Sequence, residues 1–150
     1  MRINLSDVHV IVAKYKENIS WINEIPFKTF IYDKSGETPS EYIPLPNIGR
    51  EAETYIRHII EHYEHLPMYC VFLQGDPFSH TLNSYNNASR LSSFLSTEIQ
   101  KTPKNVVGLG NFTIENPGAF NLPVPNLFCK AEAVAAGFVM FGLVTASYDL

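Results

Sequence analysis

Two short runs, Val8-His9-Val10-Ile11-Val12-Ala13 and Tyr69-Cys70-Val71-Phe72-Leu73, constrain this chain more than any other feature. Both are almost wholly apolar, rich in β-branched or aromatic side chains, and each runs into a polar loop. A run of that kind is a strand covered on both faces, as in a parallel sheet wrapped by helices. Between the two lies an amphipathic helix expected over 50–65. Tyr55, Ile56, Ile59, Ile60 and Tyr63 form one stripe at helical spacing, with Arg57, Glu61 and Glu64 opposite. Glu51 and Glu53 fall in its first turn, where the helix dipole favours negative charge, and Leu66-Pro67 closes it.

The remaining elements fill in the same pattern. A helical turn is expected over 19–25, capped by Asn18 or Ser20 and stopped by Pro26. A strand over 27–32 ends in the turn Asp33-Lys34-Ser35-Gly36, and a weaker strand over 42–45 carries prolines that suit an edge. Further on come a helix over 87–100, with Leu91, Phe94, Leu95 and Ile99 inward, a strand over 105–109, and a long ordered loop over 110–126. The alternation of strand and helix predicts an α/β fold with a mostly parallel sheet flanked by helices.

Composition narrows the class. At 150 residues, 45% hydrophobic and 17% charged, the chain has the size and apolar content of one packed domain spanning 1–150. A net charge of −4 argues against a nucleic-acid groove, which needs a surplus of Lys and Arg against phosphate. Two cysteines without a C-x-x-C spacing argue against a disulfide framework or a thiolate zinc site, and for a reducing, cytoplasmic setting. The longest apolar run, 133–146, has 14 residues. A bilayer needs about 20, so a soluble protein without a transmembrane segment is expected. The chain closes on Asp149-Leu150 after an apolar stretch, which suggests truncation.

Ligands of open α/β sheets bind outside the carboxyl ends of the strands. That rule selects the loops 14–18, 33–36, 47–51 and 74–80, which hold Tyr15, Glu17, Asp33, Asn47, Arg50, Asp76 and His80. Asp76, at the end of an apolar strand, has the hard oxygen a divalent cation prefers, although Gly-Asp-Pro is also ordinary turn chemistry. Asn47-Ile48-Gly49-Arg50-Glu51 opens the long helix, where backbone amides and an arginine attract phosphate; Asn47 is equally a simple cap. Tyr15 could stack on a base and Glu17 hold a ribose hydroxyl, or both could be plain loop residues. His58-Ile59-Ile60-Glu61-His62 matches H-x-x-E-H, an inverted zinc-peptidase helix in which His58 and His62 share zinc and Glu61 is the base. Angular position speaks against it, since His58 points almost opposite the apolar stripe and that face reads as solvated. Cys70, inside an apolar strand, is assigned a packing role.

The order of these fragments carries a resemblance. Val10-Ile11-Val12-Ala13-Lys14-Tyr15-Lys16-Glu17, then Phe30-Ile31-Tyr32-Asp33-Lys34, Leu45-Pro46-Asn47-Ile48-Gly49-Arg50-Glu51 and Val71-Phe72-Leu73-Gln74-Gly75-Asp76-Pro77-Phe78 resemble an uncharacterised domain-of-unknown-function family over about residues 8–80. Its members read roughly VVxxYNEDxxWL, LPNVGRExxTYLxHII and VFLQGDPF in turn. That pattern is similar to the first half of GT-A nucleotide-sugar glycosyltransferases. The resemblance implies a GT-A-like, Rossmann-like sheet binding a nucleotide-diphosphate sugar and transferring the sugar to an unknown acceptor. It implies Tyr15 on the base, Glu17 and Asp33 at base or ribose, and Asn47, Gly49 and Arg50 near the phosphates. Asp76, with His80 in the same loop, would hold Mn²⁺ or Mg²⁺. Gln74 departs from the pattern by replacing the first acid of the metal motif, and no later segment aligns with an acceptor site. A degenerate, non-catalytic binding module of the same fold is therefore the alternative, with the zinc peptidase third.

Overall fold

The first apolar run becomes the central strand of the sheet. In the computed structural model, which describes residues 4–78, 86–98, 106–108 and 127–130, β1 (Val8–Lys14) pairs in parallel with β2 (Lys28–Asp33) on one side and β4 (Tyr69–Gln74) on the other. Outside β2 lies the two-residue edge strand β3 (Ile43–Pro44), also parallel. Outside β4 come β6 (Leu127–Lys130) and then β5 (Val106–Gly108), both joined by antiparallel pairing, so the order is β3-β2-β1-β4-β6-β5. Four parallel strands with helices form an α/β, Rossmann-like fold.

Alternation along the strands explains why both central runs are apolar throughout. Val8, Val10 and Val12 of β1 and Val71 and Leu73 of β4 face one side, against Leu91, Phe94 and Leu95. Those three belong to α2 (Ala88–Ser93) and the wider π-helical turn Phe94–Glu98 that continues it. Ile11, Ala13, Cys70, Phe72 and Tyr32 face the other side, against Tyr55 and Ile59 of α1 (Arg50–Glu61). The sheet is thus the middle of three layers.

Several expectations are corrected in detail. The helix expected over 50–65 ends at Glu61 and is followed by a separate 3-10 turn, Tyr63–His65. Its buried face is Thr54, Tyr55, His58 and Ile59, whereas Ile60 and Tyr63 are 69% and 54% exposed. The turn expected over 19–25 is the 3-10 turn Ser20–Glu24, with Asn18 Oδ1 accepting from Ser20 N at 2.9 Å. In the segment expected as one helix over 87–100, the hydroxyls of Ser96 and Thr97 donate to the carbonyls of Ser92 and Ser93, at 2.8 and 2.7 Å. Such back-bonding competes with the regular ladder where the helix widens. Residues 99 and 100, the loop 110–126 and the apolar run 133–146 lie outside the described residues. Among the described residues no helix is long and apolar enough to cross a membrane.

Candidate functional site

The chain runs from β1 outward to β2 and β3, then returns to the far side of β1 as β4. The strand order therefore reverses between β1 and β4, and the carboxyl ends of those two strands are where sheets of this kind place a ligand crevice. The loop after β1 carries Tyr15 and Glu17; the loop after β4 carries Gly75 and Asp76. They meet directly. A Cβ at Gly75 would stand 2.5 Å from Glu17 Oε2 and 3.0 Å from Glu17 Cβ, so any larger residue would force Glu17 to shift. Glu17 Oε2 also accepts from Tyr15 N at 2.7 Å, and Trp21 Nε1 donates to Gly75 O at 2.9 Å. Tyr15 is 41% exposed, with the Lys16 ammonium 5.1 Å from its ring centroid. Asp76 is exposed on the same rim.

Asp33 closes the neighbouring strand but points inward. It is fully buried; Oδ2 pairs with Lys14 Nζ at 2.9 Å and Oδ1 accepts from Ser35 N at 2.7 Å. Burial alone would raise its carboxyl, but the hydrogen bonds from Ser35 and Lys14, with the Lys14 charge, bring it below the usual carboxylate range. Lys14 Nζ also donates to Tyr15 O at 3.1 Å, so this pair braces the loop that presents Tyr15 and Glu17.

The helix opening forms the third side. Gly49, not Asn47, occupies the N-cap position, with φ 63°, and Arg50 follows at φ 46°. Asn47, Gly49 and Arg50 are all exposed. Gly49 is required twice over, for its left-handed backbone and because a Cβ there would stand 2.5 Å from Glu53 Cβ. Gln74 Nε2 donates to Glu51 Oε1 at 3.0 Å, tying the end of β4 to the start of α1. The structure thus brings Tyr15, Glu17 and the Asp76 loop together directly and joins the helix opening to them through Gln74. His80, the second expected metal ligand, lies outside the described residues.

Sequence reading missed two residues, Lys14 and Lys34. Lys34 is 6% exposed and reaches Ile48 O at 2.7 Å, Arg50 O at 2.5 Å and Glu53 Oε2 at 2.9 Å. The only signal in the sequence was position, since both lysines end a strand at the loop side.

The histidines also end elsewhere than expected. His58 is wholly buried, and its Nδ1 shares a 2.9 Å hydrogen bond with the Tyr32 hydroxyl. It stacks on His62 at 4.2 Å and 21°, with His9 at 5.6 Å and Phe30 at 4.6 Å from it. His62 Nδ1 donates to the carbonyl of His58 at 3.0 Å. Near-parallel stacked rings do not aim two ring nitrogens at one ion, and this face is not the solvated one that the apolar stripe implied. Among the described residues no group of three or more His, Cys, Asp or Glu is placed to hold a metal. Cys70 is buried, and burial pushes its thiol up to about 12, in keeping with a packing role.

No curated protein and no solved structure matches the chain. A family model matches residues 10–105, the stretch that runs from β1 through α2 and holds all the loops just described. By that match the chain belongs to the family described as "Protein of unknown function (DUF3431)".

Proposed function

We propose that the crevice between β1 and β4 binds the nucleoside diphosphate of a nucleotide-sugar, and that the protein transfers the sugar to an acceptor as GT-A-like glycosyltransferases do. The observation that supports this best is the meeting of the Glu17 and Gly75 loops where the strand order reverses, with Tyr15 and Asp76 on its rim. In this reading Tyr15 stacks on the base, Glu17 takes a ribose hydroxyl, and Asn47, Gly49 and Arg50 face the phosphates. Asp33 acts from behind by fixing Lys14 and the Tyr15 loop.

One exposed carboxylate fits a Mg²⁺ or Mn²⁺ that takes its remaining ligands from water and substrate phosphate. Asp76, with His80 in the same loop, would hold it, and the cation would supply charge against the diphosphate as that group leaves. Arg50 supplies the protein's own positive charge there. A non-catalytic module of the same fold is the second reading. Gln74 favours it, because the position of the first metal-motif acid is filled by an amide that donates to Glu51.

The test is a thermal-shift panel of nucleotide-sugars with Mn²⁺, with Mg²⁺ and with chelator. A ligand at a hundred times its dissociation constant adds about 2.7 kcal/mol. A rise with one nucleoside diphosphate that chelator abolishes is the expected result, and no rise with any of them overturns the proposal. Release of free sugar from the bound donor separates the transferase from the binding module.

A further inference from the structure

The chain has two cysteines, and the fold sets them opposite each other. Strands β4 and β6 pair antiparallel through four consecutive positions: Tyr69 with Lys130, Cys70 with Cys129, Val71 with Phe128 and Phe72 with Leu127. The run is continuous, so Cys70 and Cys129 are direct cross-strand partners within the ladder. Directly opposed residues of an antiparallel pair have Cα atoms about 5.5 or 4.5 Å apart, according to whether the pair is hydrogen-bonded. A disulfide needs a Cα separation of about 4.4–6.8 Å. Both kinds of pair fall inside that window, and opposed positions share one face of the sheet.

Spacing along the sequence hides this pair, because the chain between the two cysteines carries α2, the π-helical turn and β5 before it returns as β6. The family match ends at residue 105, so Cys70 lies inside the matched stretch and Cys129 beyond it. A link between them would fasten the antiparallel strand β6 to β4, an inner strand of the sheet. It would also close residues 71–128 into one loop, which takes conformational freedom from the unfolded chain.

We propose that Cys70 and Cys129 form a reversible cross-strand disulfide when the protein meets a low-molecular-weight disulfide such as oxidised glutathione. The thiolate of one cysteine attacks a sulfur of the small disulfide and releases one glutathione thiolate. The other cysteine, as thiolate, attacks the protein sulfur of that mixed disulfide and releases the second. In sum, two protein thiols and one small disulfide become one protein disulfide and two small thiols, which take up the two protons. Cys70 is a free thiol in the structure, fully buried in the cluster with Ile11, Tyr55 and Phe72. With its thiol pushed up to about 12 it holds little thiolate, so the exchange takes place as the two strands come together and not through the closed sheet. The disulfide is independent of nucleotide binding.

The full chain, refolded from urea in glutathione buffers of graded composition, tests this. Intact mass and thiol titration are expected to show a monomer with both thiols gone and no glutathione attached. A non-reduced digest should join the peptides that carry Cys70 and Cys129. Two cysteines on one chain can also close without a fold, so the deciding quantity is the buffer composition at half reduction. Where the ladder holds the pair together, the ratio of reduced glutathione squared to oxidised glutathione at that point is at least tenfold higher in native buffer than in urea. The linked protein should then melt at least about 3 °C above the reduced one, and Cys129→Ala should melt alike in both buffers. A ratio less than tenfold higher overturns the proposal, because the ladder then does nothing to hold the pair. Glutathione on each cysteine, a disulfide-linked dimer, or a linked protein less stable than the reduced one overturns it as well.

Discussion

Gly75 shows how one residue fixes the geometry of the crevice. Its φ is not left-handed, so glycine is there for room: an added methyl would meet the carboxylate, carboxyl carbon and Cβ of Glu17 at 2.5, 2.9 and 3.0 Å. The carboxylate could swing away only by giving up its bond from Tyr15 N, and Glu17 Cβ moves only with its backbone. Gly75→Ala is therefore expected to destabilise the fold by about 1–3 kcal/mol, as overpacking does. Glu17→Ala in the same chain should recover part of that loss, so the double variant costs less than the sum of the single ones in urea denaturation. Additivity of the two would mean that the loops do not press on each other. Glu17 and Asp76 were legible in the sequence because each follows an apolar strand into a loop. Lys14 and Lys34 were not, because a buried lysine is recognised by its acceptors. For Lys34 those come from Ile48, Arg50 and Glu53, which only the fold brings to it.

Helix α1 shows the same limit for a whole element. Its existence, its start and its acidic first turn follow from spacing and composition, but its rotation about its axis does not. Five apolar residues defined the expected stripe; the sheet instead receives Thr54, Tyr55, His58 and Ile59 and leaves Ile60 outside. The cause is what the sheet offers at that point: the Tyr32 hydroxyl bonds His58, and Phe30 and His9 surround it with rings. Hydropathy counts histidine as polar and cannot anticipate a complementary pocket. The arrangement makes stability depend on pH. Burial, with charge repulsion from His62, His9 and Lys28, pushes His58 down to about 3. Burial, then Lys28 and His62, pushes His9 down to about 4. Between the ordinary histidine value near 6.5 and these folded values, the unfolded chain binds protons that the folded chain refuses. The stability these groups give is thus full above pH 6.5 and lost as pH falls toward 4, by about 1.4 kcal/mol per pH unit for each histidine. Denaturation between pH 7 and pH 5 should show that slope, and His58→Gln should remove about half of it. An unchanged slope in the variant would mean that His58 takes up protons in the fold as readily as outside it.

The topology of the whole molecule follows from its two apolar strands more fully than any single contact does. A strand buried on both faces needs a neighbour on each side and a helix above and below, and the chain supplies them by going out through β2 and β3 and returning as β4. The reversal that makes the sheet also makes the crevice, so the loops of the candidate site were legible as a set before their contacts were. What the sequence could not convey is how those loops divide the work. Asp33 turns inward to Lys14, while Asp76 stays exposed on the rim. That difference gives a prediction for ligand binding by the intact protein. In the proposed function Arg50 meets phosphate directly, so Arg50→Ala should weaken nucleotide-sugar binding by about 2 kcal/mol, roughly thirtyfold, with or without a divalent cation. In the same proposal Asp76 acts only through the cation, so Asp76→Ala should abolish the part of the affinity that chelator abolishes and leave the rest. Titration calorimetry of the two variants in Mn²⁺ and in chelator distinguishes these outcomes. If Asp76→Ala weakens binding equally in both media, the carboxylate meets the ligand itself and the cation has no place at that loop. If Arg50→Ala has an effect only with Mn²⁺, the arginine serves the cation-bound diphosphate alone.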